Sequence, residues 1–148
     1  MEVSHITPAV HAIDVLGPAA AAGLFVLVMS RLRDSPRRKL MAVMTAGFAT
    51  AYLGGGLGMW EFWYFVAASF VAYRALDSYG FVAIGWLMHP VWDLVHHFYG
   101  NPIWPWMPTS SFGCAVFDPI VAVYALALAR SHARGHTDDA MGLHVPAA

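Results

Sequence analysis

The sequence is short of charge. Only 11% of its 148 residues are Asp, Glu, Lys or Arg, against about 25% in an average soluble domain. Nine acidic and eight basic side chains cannot cover the surface of a water-soluble globule of this length. A formal net charge of −1 leaves no basic face of the kind that holds nucleic acid, so no nucleic-acid partner is expected. Cysteine is nearly missing too. A single one excludes an internal disulfide framework and a cysteine-rich zinc module. Disorder is excluded by the opposite excess, since 59% of the chain is apolar and disordered chains are poor in such residues. The class these absences leave is an integral membrane protein, all-α, a polytopic transmembrane helix bundle.

A hydrocarbon core about 30 Å thick takes roughly 17–25 apolar helical residues per crossing. Five runs qualify, at about 12–30, 40–57, 60–76, 79–98 and 111–129. They make residues 1–130 a single transmembrane domain and leave 131–148 as a polar tail, expected to be disordered. The glycines Gly54, Gly55, Gly56 and Gly58 read as a turn between the second and third spans. Residues 1–13 carry Glu2, His5 and His11 but no cation, so the start does not read as a cleavable signal peptide, which places cations before its apolar run. The cations follow instead. Arg31, Arg33, Arg37, Arg38, Lys39, Arg74, Arg130 and Arg134 all fall on one side of a five-span chain. The positive-inside rule makes that side cytoplasmic, with the N-terminus out and the C-terminus in. The expected location is the inner (plasma) membrane of a bacterium, with membrane lipids as partners. Trp60, Trp63, Tyr64, Trp92, Tyr99, Trp104 and Trp106 then fall near the outer interface, as aromatic anchors do. Pro102, Pro105 and Pro108 stiffen the outer loop.

Ionisable side chains inside spans cost about 3 kcal/mol each and so need a partner or a purpose. The fourth span holds His89, Asp93, His96 and His97, the fifth holds Asp118, Glu61 opens the third, and Asp14 with His11 opens the first. All lie in the outer half. At about 100° per residue, His89, Asp93 and His96 form one polar stripe with His97 on its flank. Neutral imidazoles with carboxylates are the ligand set of zinc, non-haem iron and manganese. The same groups also serve as helix glue, each satisfied by one interhelical hydrogen bond. Pro90 predicts a bend beside His89, and Asp118-Pro119 predicts a helix break lining a polar cavity. Thr109, Ser110 or Ser111 reads as an N-cap, and Cys114 as a small buried hydrophobe.

Three blocks carry a resemblance: Trp60-Glu61-Phe62, His89-Pro-Val-Trp-Asp93-Leu-Val-His96-His97-Phe-Tyr-Gly-Asn101-Pro102, and Pro108-Thr-Ser-Ser-Phe-Gly-Cys114-Ala-Val-Phe-Asp118-Pro119. Over about residues 12–130 the chain resembles a family of small integral membrane proteins known as domain of unknown function 6010. The resemblance implies a multi-span bacterial membrane protein and transfers no activity. His89-x-x-x-Asp93 is also loosely similar to a motif of sterol-isomerase and sigma-receptor-like membrane proteins, although the acid here is Asp and the span count differs.

The residues themselves point to an outward-opening polar pocket. The expected function is a divalent-metal-dependent enzyme acting on a lipid-like or isoprenoid substrate. His89, Asp93, His96 and His97 are the candidate ligands of zinc, iron or manganese; Asp93, Asp118 and Glu61 are the candidate catalytic groups, with Asp14 a further pocket member. The alternative is a non-enzymatic membrane protein that binds a metal, haem or small ligand, or a subunit of a larger complex. A homo-oligomer is compatible with either. A transporter is disfavoured, because no inverted repeat is evident and the inner half offers no polar path. Reporter fusions test the topology: a C-terminal tag is expected in the cytoplasm and a tag within 100–110 outside. A periplasmic C-terminus would remove the five-span scheme.

Overall fold

The structure, a computed structural model, describes residues 7–140. Its five helices are α1 (Ala12–Ser30), α2 (Asp34–Thr50), α3 (Met59–Ala75), α4 (Tyr79–Tyr99) and α5 (Ser110–Ala140). Among the described residues there is no strand, only a bridge between Trp104 and Met107 in the outer loop. The fold is all-α. Glu2, His5 and the segment beyond Ala140, with His144, lie outside the described residues.

Three local expectations need correction. The second helix begins at Asp34 rather than near residue 40, inside the basic run. Pro36 is tolerated there because a first helical turn lacks intrahelical N–H partners anyway. That helix ends at Thr50, and Gly54, Gly56 and Gly58 follow at φ of 92°, 99° and 63°, a left-handed region open mainly to glycine. The last helix does not break at Asp118-Pro119 but runs through Pro119. One lost backbone bond is tolerated where neighbouring helices pack around the kink site. It also continues through the polar segment after Arg130 as far as Ala140.

Length and apolarity suffice for a membrane crossing in two helices, at Ala12–Ser30 and Ser110–Gly135. Helices α2 and α3 have 17 residues each, about 26 Å at the α-helical rise. Helix α4 has the length, at 21 residues, but its histidines and Asp93 dilute its apolarity. The five expected spans therefore meet this requirement in α1 and α5 only.

Helix α4 is the hub. It packs against α5, α3 and α2, while α1 packs mainly against α5. Its buried residues, among them Tyr79, Val82, Trp86, His89, Asp93 and His96, recur at three- and four-residue intervals and form one continuous stripe. The apolar core is built largely of small side chains, with Ala22, Ala42, Ala83, Ala122 and Ala125 fully buried, so backbones come close. The large apolar side chains point outward: Ile13, Leu16, Leu24, Val43, Phe70, Tyr73 and Val91 are all exposed. Phe25, Trp86 and Phe117 form an aromatic layer across α1, α4 and α5, with ring centroids 5.5–6.1 Å apart.

A polar knot closes the end opposite the glycine turn. The Arg37 guanidinium donates to Tyr79 Oη at 2.8 Å, to Asp34 Oδ1 at 2.9 Å and to Tyr124 Oη at 3.4 Å. One side chain thus ties α2 to α4 and α5. Partial burial pushes the Asp34 carboxyl up, but the hydrogen bonds from Arg37 and Tyr79 and the nearby His132 outweigh it and hold its pKa below the ordinary carboxylate value.

Gly85 sets the approach of α4 to α2. A Cβ at this position would stand 2.5 Å from Thr45 Cγ2. Alanine is the better helix former by about 1 kcal/mol, so intrinsic propensity alone says Gly85→Ala should stabilise. Overpacking costs about 1–3 kcal/mol. Gly85→Ala is therefore expected to lower the thermal midpoint in detergent; a raised midpoint would show that the α2–α4 contact yields easily.

Candidate buried carboxyl site

The stripe on α4 meets three other elements within one polar interior. Asp93 is 1% and Asp118 4% exposed, and the two carboxyls lie within electrostatic reach of each other across the α4–α5 contact. Two carboxyls buried together with no cation beside them do not both carry a charge, so one member holds a proton. The Tyr52 hydroxyl, from the segment following α2, donates to Asp93 Oδ1. Ser111, at the start of α5, is fully buried, and its hydroxyl has no hydrogen-bond partner. Cys114, one turn before Asp118, lies within electrostatic reach of both acids. No arginine or lysine takes part in this cluster.

The remaining stripe residues turn elsewhere. His89 Nδ1 lies 2.8 Å from the Gly85 carbonyl of its own helix, its Nε2 has no hydrogen-bond partner, and its ring meets Phe48 of α2 edge-on at 6.3 Å. His96 Nδ1 lies 3.2 Å from the Trp92 carbonyl and its Nε2 3.4 Å from Glu61 Oε1. His97 packs on Phe112 of α5, centroids 5.4 Å apart. Among the described residues, no three His, Cys, Asp or Glu side chains converge where one metal ion could be held. A shared helical face spaces His89, Asp93 and His96 along about 10 Å of axis, and here each takes a different partner.

Glu61 sits apart from the carboxyl pair. Its Oε2 accepts the Gly54 N–H at 2.7 Å and its Oε1 the Leu57 N–H at 2.8 Å. The carboxylate therefore closes the glycine turn and meets His96 from above. Gly55 is required here: a Cβ would come within 2.7 Å of His96 Nε2 and 3.0 Å of Glu61 Oε1. The Tyr52 ring covers the other face of His96, centroids 4.1 Å apart. Asp14 is also remote from the pair. It caps α1 through the His11 N–H at 2.8 Å and accepts from Thr109 Oγ1 at 2.7 Å, pinning α1 to the entry of α5.

Composition and spacing did not reveal Tyr52 and Tyr64. The sequence places Tyr64 and Trp92 among the interfacial anchors. Of the rings expected there, Trp60, Trp63, Tyr99, Trp104 and Trp106 are exposed. Tyr64 and Trp92 instead stack face to face at 4.6 Å and 7°, and the Tyr64 hydroxyl feels the charges of Asp93 and Asp118. A signal was available, because Tyr64 lies three residues after buried Glu61 and four before buried Ala68, on one face of α3.

The family described as "Family of unknown function (DUF6010)" matches residues 13–131, a stretch that holds the carboxyl pair, Tyr52, Tyr64 and the glycine turn. The chain belongs to this family. No curated protein and no solved structure matches it. The family match runs through α1, α2, α3 and α4 and into α5, so it takes in every residue of the polar interior.

Glu61 is better placed to hold the turn than to react. Glu61→Gln leaves one acceptor oxygen for two backbone donors, which orphans one of them at a cost of about 1–3 kcal/mol. The variant is expected to unfold at lower temperature in detergent. An unchanged midpoint would mean that the glycine turn does not depend on this carboxylate.

Proposed function

We propose that the protein is a five-span inner-membrane protein, N-terminus out and C-terminus in, whose Asp93–Asp118 pair performs acid–base chemistry on a lipid-like or isoprenoid substrate. The membrane part rests on polarity turned inside out. Glu61, His89, Asp93, His96, His97 and Asp118 are buried while Leu16, Leu24, Val91 and Trp106 are exposed, an arrangement suited to a lipid surround. At 17 residues, α2 and α3 stand at the lower end of the range that crosses a bilayer.

The observation that carries the chemistry is the burial of two carboxyls on facing helices with no cation among their partners. One member holds a proton to give, and the other is a base beside it. In the proposed reaction the protonated carboxyl gives its proton to one carbon of a substrate double bond, and the other carboxylate removes a proton from the saturated carbon attached to the far end of that bond. The double bond shifts, the pair ends with the same number of protons, and no oxidant or reductant is consumed. Tyr52 donates to Asp93 and so is a positioning residue.

Deuterium exchange tests this. Protein purified with its bound lipid and incubated in D₂O is expected to place deuterium on carbon in that lipid, read by mass spectrometry. Asp93→Asn and Asp118→Asn are each expected to abolish incorporation, since general acid–base groups contribute about 10²–10⁴-fold. No incorporation by the wild type, or equal incorporation by the variants, overturns the reading. Elemental analysis of the same preparation addresses the metal expected from the stripe: stoichiometric zinc, iron or manganese that His89→Leu and His96→Leu both lose would favour metal-assisted chemistry instead.

A further inference from the structure

The glycine turn and the segment after α4 face each other across a groove of about 430 Å³. Leu53, Gly54 and Gly55 form one wall, and Asn101, Ile103 and Pro105 the other. The Asn101 N–H donates to the Gly55 carbonyl at 2.6 Å and joins the walls. His96 lies directly beneath. A Cβ at Gly55 would stand 2.7 Å from its Nε2, and one at Gly100 2.7 Å from its Cδ2. The Tyr52 ring covers its other face, centroids 4.1 Å apart, and the Tyr52 hydroxyl reaches Asp93. Turn, His96, Tyr52 and Asp93 thus follow one another from the surface inward.

Acceptors face the His96 ring at both nitrogens. Nδ1 lies 3.2 Å from the Trp92 carbonyl and Nε2 3.4 Å from Glu61 Oε1. That carboxylate also accepts the Gly54 and Leu57 N–H groups. A neutral imidazole has one N–H, so it satisfies one acceptor and turns a lone pair on the other; an imidazolium donates to both. The titratable groups brought to the ring are Glu61 of α3 and Tyr52 of the segment after α2. Its own helix adds His97 and, beyond Tyr52, Asp93, and α5 places Asp118 and Cys114 behind Asp93. Every Lys and Arg lies elsewhere, within 31–39, at 74, or at 130 and 134. A proton on His96 therefore supplies the positive charge that Glu61 meets.

We infer that His96 is a proton-operated latch on the glycine turn and regulates access to the carboxyl pair. With both nitrogens protonated, the ring grips Glu61, and Glu61 holds Gly54 and Leu57 down over Tyr52. When the second proton leaves, the charge attraction goes and a lone pair meets an acceptor. The turn then parts from residues 101–105, and the groove deepens toward Tyr52 and Asp93. Acid closes the mouth and alkali opens it. The regulation rests on the proposed function, but the response of the turn to pH stands on its own geometry.

Amide hydrogen exchange on the full chain in lipid nanodiscs tests the latch. After correction for intrinsic rates, amides within 53–58 are expected to exchange about tenfold faster at about pH 8 than at about pH 5, the range in which histidine loses its charge. Amides of α1 are expected to keep one rate. In His96→Gln, uncharged at either pH, the difference is expected to vanish. Nitrogen-15 spectra of histidine-labelled wild type repeat the test without a substitution: His96 is expected to carry two ring protons at the lower pH and one at the higher. Equal exchange of the turn at both pH values, a difference that survives in His96→Gln, or an unchanging His96 protonation overturns the latch. Lipid labelling in D₂O separates the two proposals. It is expected to rise with pH more steeply in the wild type than in His96→Gln, which keeps the pH response of the carboxyl pair itself. Equal pH profiles for the two proteins remove the regulation, whereas no labelling at either pH removes the acid–base chemistry and leaves the latch.

Discussion

A carboxyl group taken out of water must find a hydrogen-bond partner or destabilise whatever contains it. Asp93 and Asp118 sit on different helices, each buried, and the Tyr52 hydroxyl donates to Asp93. Burying both acids at one contact fixes how α4 is rotated against α5. Once Asp93 faces α5, the residues one turn away on the same stripe are fixed as well. His89 bonds the Gly85 carbonyl of its own helix and meets Phe48 of α2 edge-on, and His96 meets Glu61 of α3. Tyr52 then locks the end of α2 to the same point by donating to Asp93. Four of the five helices are thus placed by one contact between two acids. The fifth, α1, is held separately through Asp14 and Thr109.

The all-α class and the number of helices were legible in the apolar runs, and most helix ends fell within a residue or two of those runs. The start of α2 was not, because a run of cations reads as loop. Its first turn, Asp34-Ser-Pro36, accepts those residues at little cost since the first N–H groups have no helical partner. The stripe was legible too, because burial on α4 follows the helical period. Its partners were not. Periodicity says which side chains share a face, but not whether they aim at one point, which is why a ligand set inferred from His89, Asp93, His96 and His97 does not appear as a convergent cluster. Tyr52 and Ser111 lie on segments whose sequence carries no spacing signal toward Asp93. Only the fold brings them there.

The two ends of the bundle use opposite devices. At one end a carboxylate, Glu61, gathers backbone N–H groups from a turn rich in glycine. At the other a guanidinium, Arg37, gathers a carboxylate and two phenols. The first needs the absence of side chains, since Gly55 leaves room for His96 and Glu61 to meet. The second needs long ones, and the rings and stems around Arg37 shield it from solvent. Substitutions at the glycine turn therefore act through His96 on the polar interior. Those at the Arg37 knot act on how α2, α4 and α5 are joined.

Phe25, Trp86 and Phe117, with Phe48 edge-on to Trp86 at 5.6 Å, lie along α4 on the side of the carboxyl pair that leads toward the Arg37 knot. Proton hopping requires a file of water or of groups that both donate and accept, and three packed hydrocarbon rings supply neither. In the proposed five-span arrangement this layer would close the interior on that side, and protons moving between Asp93 and Asp118 would have no path through it to the Arg37 end of the bundle.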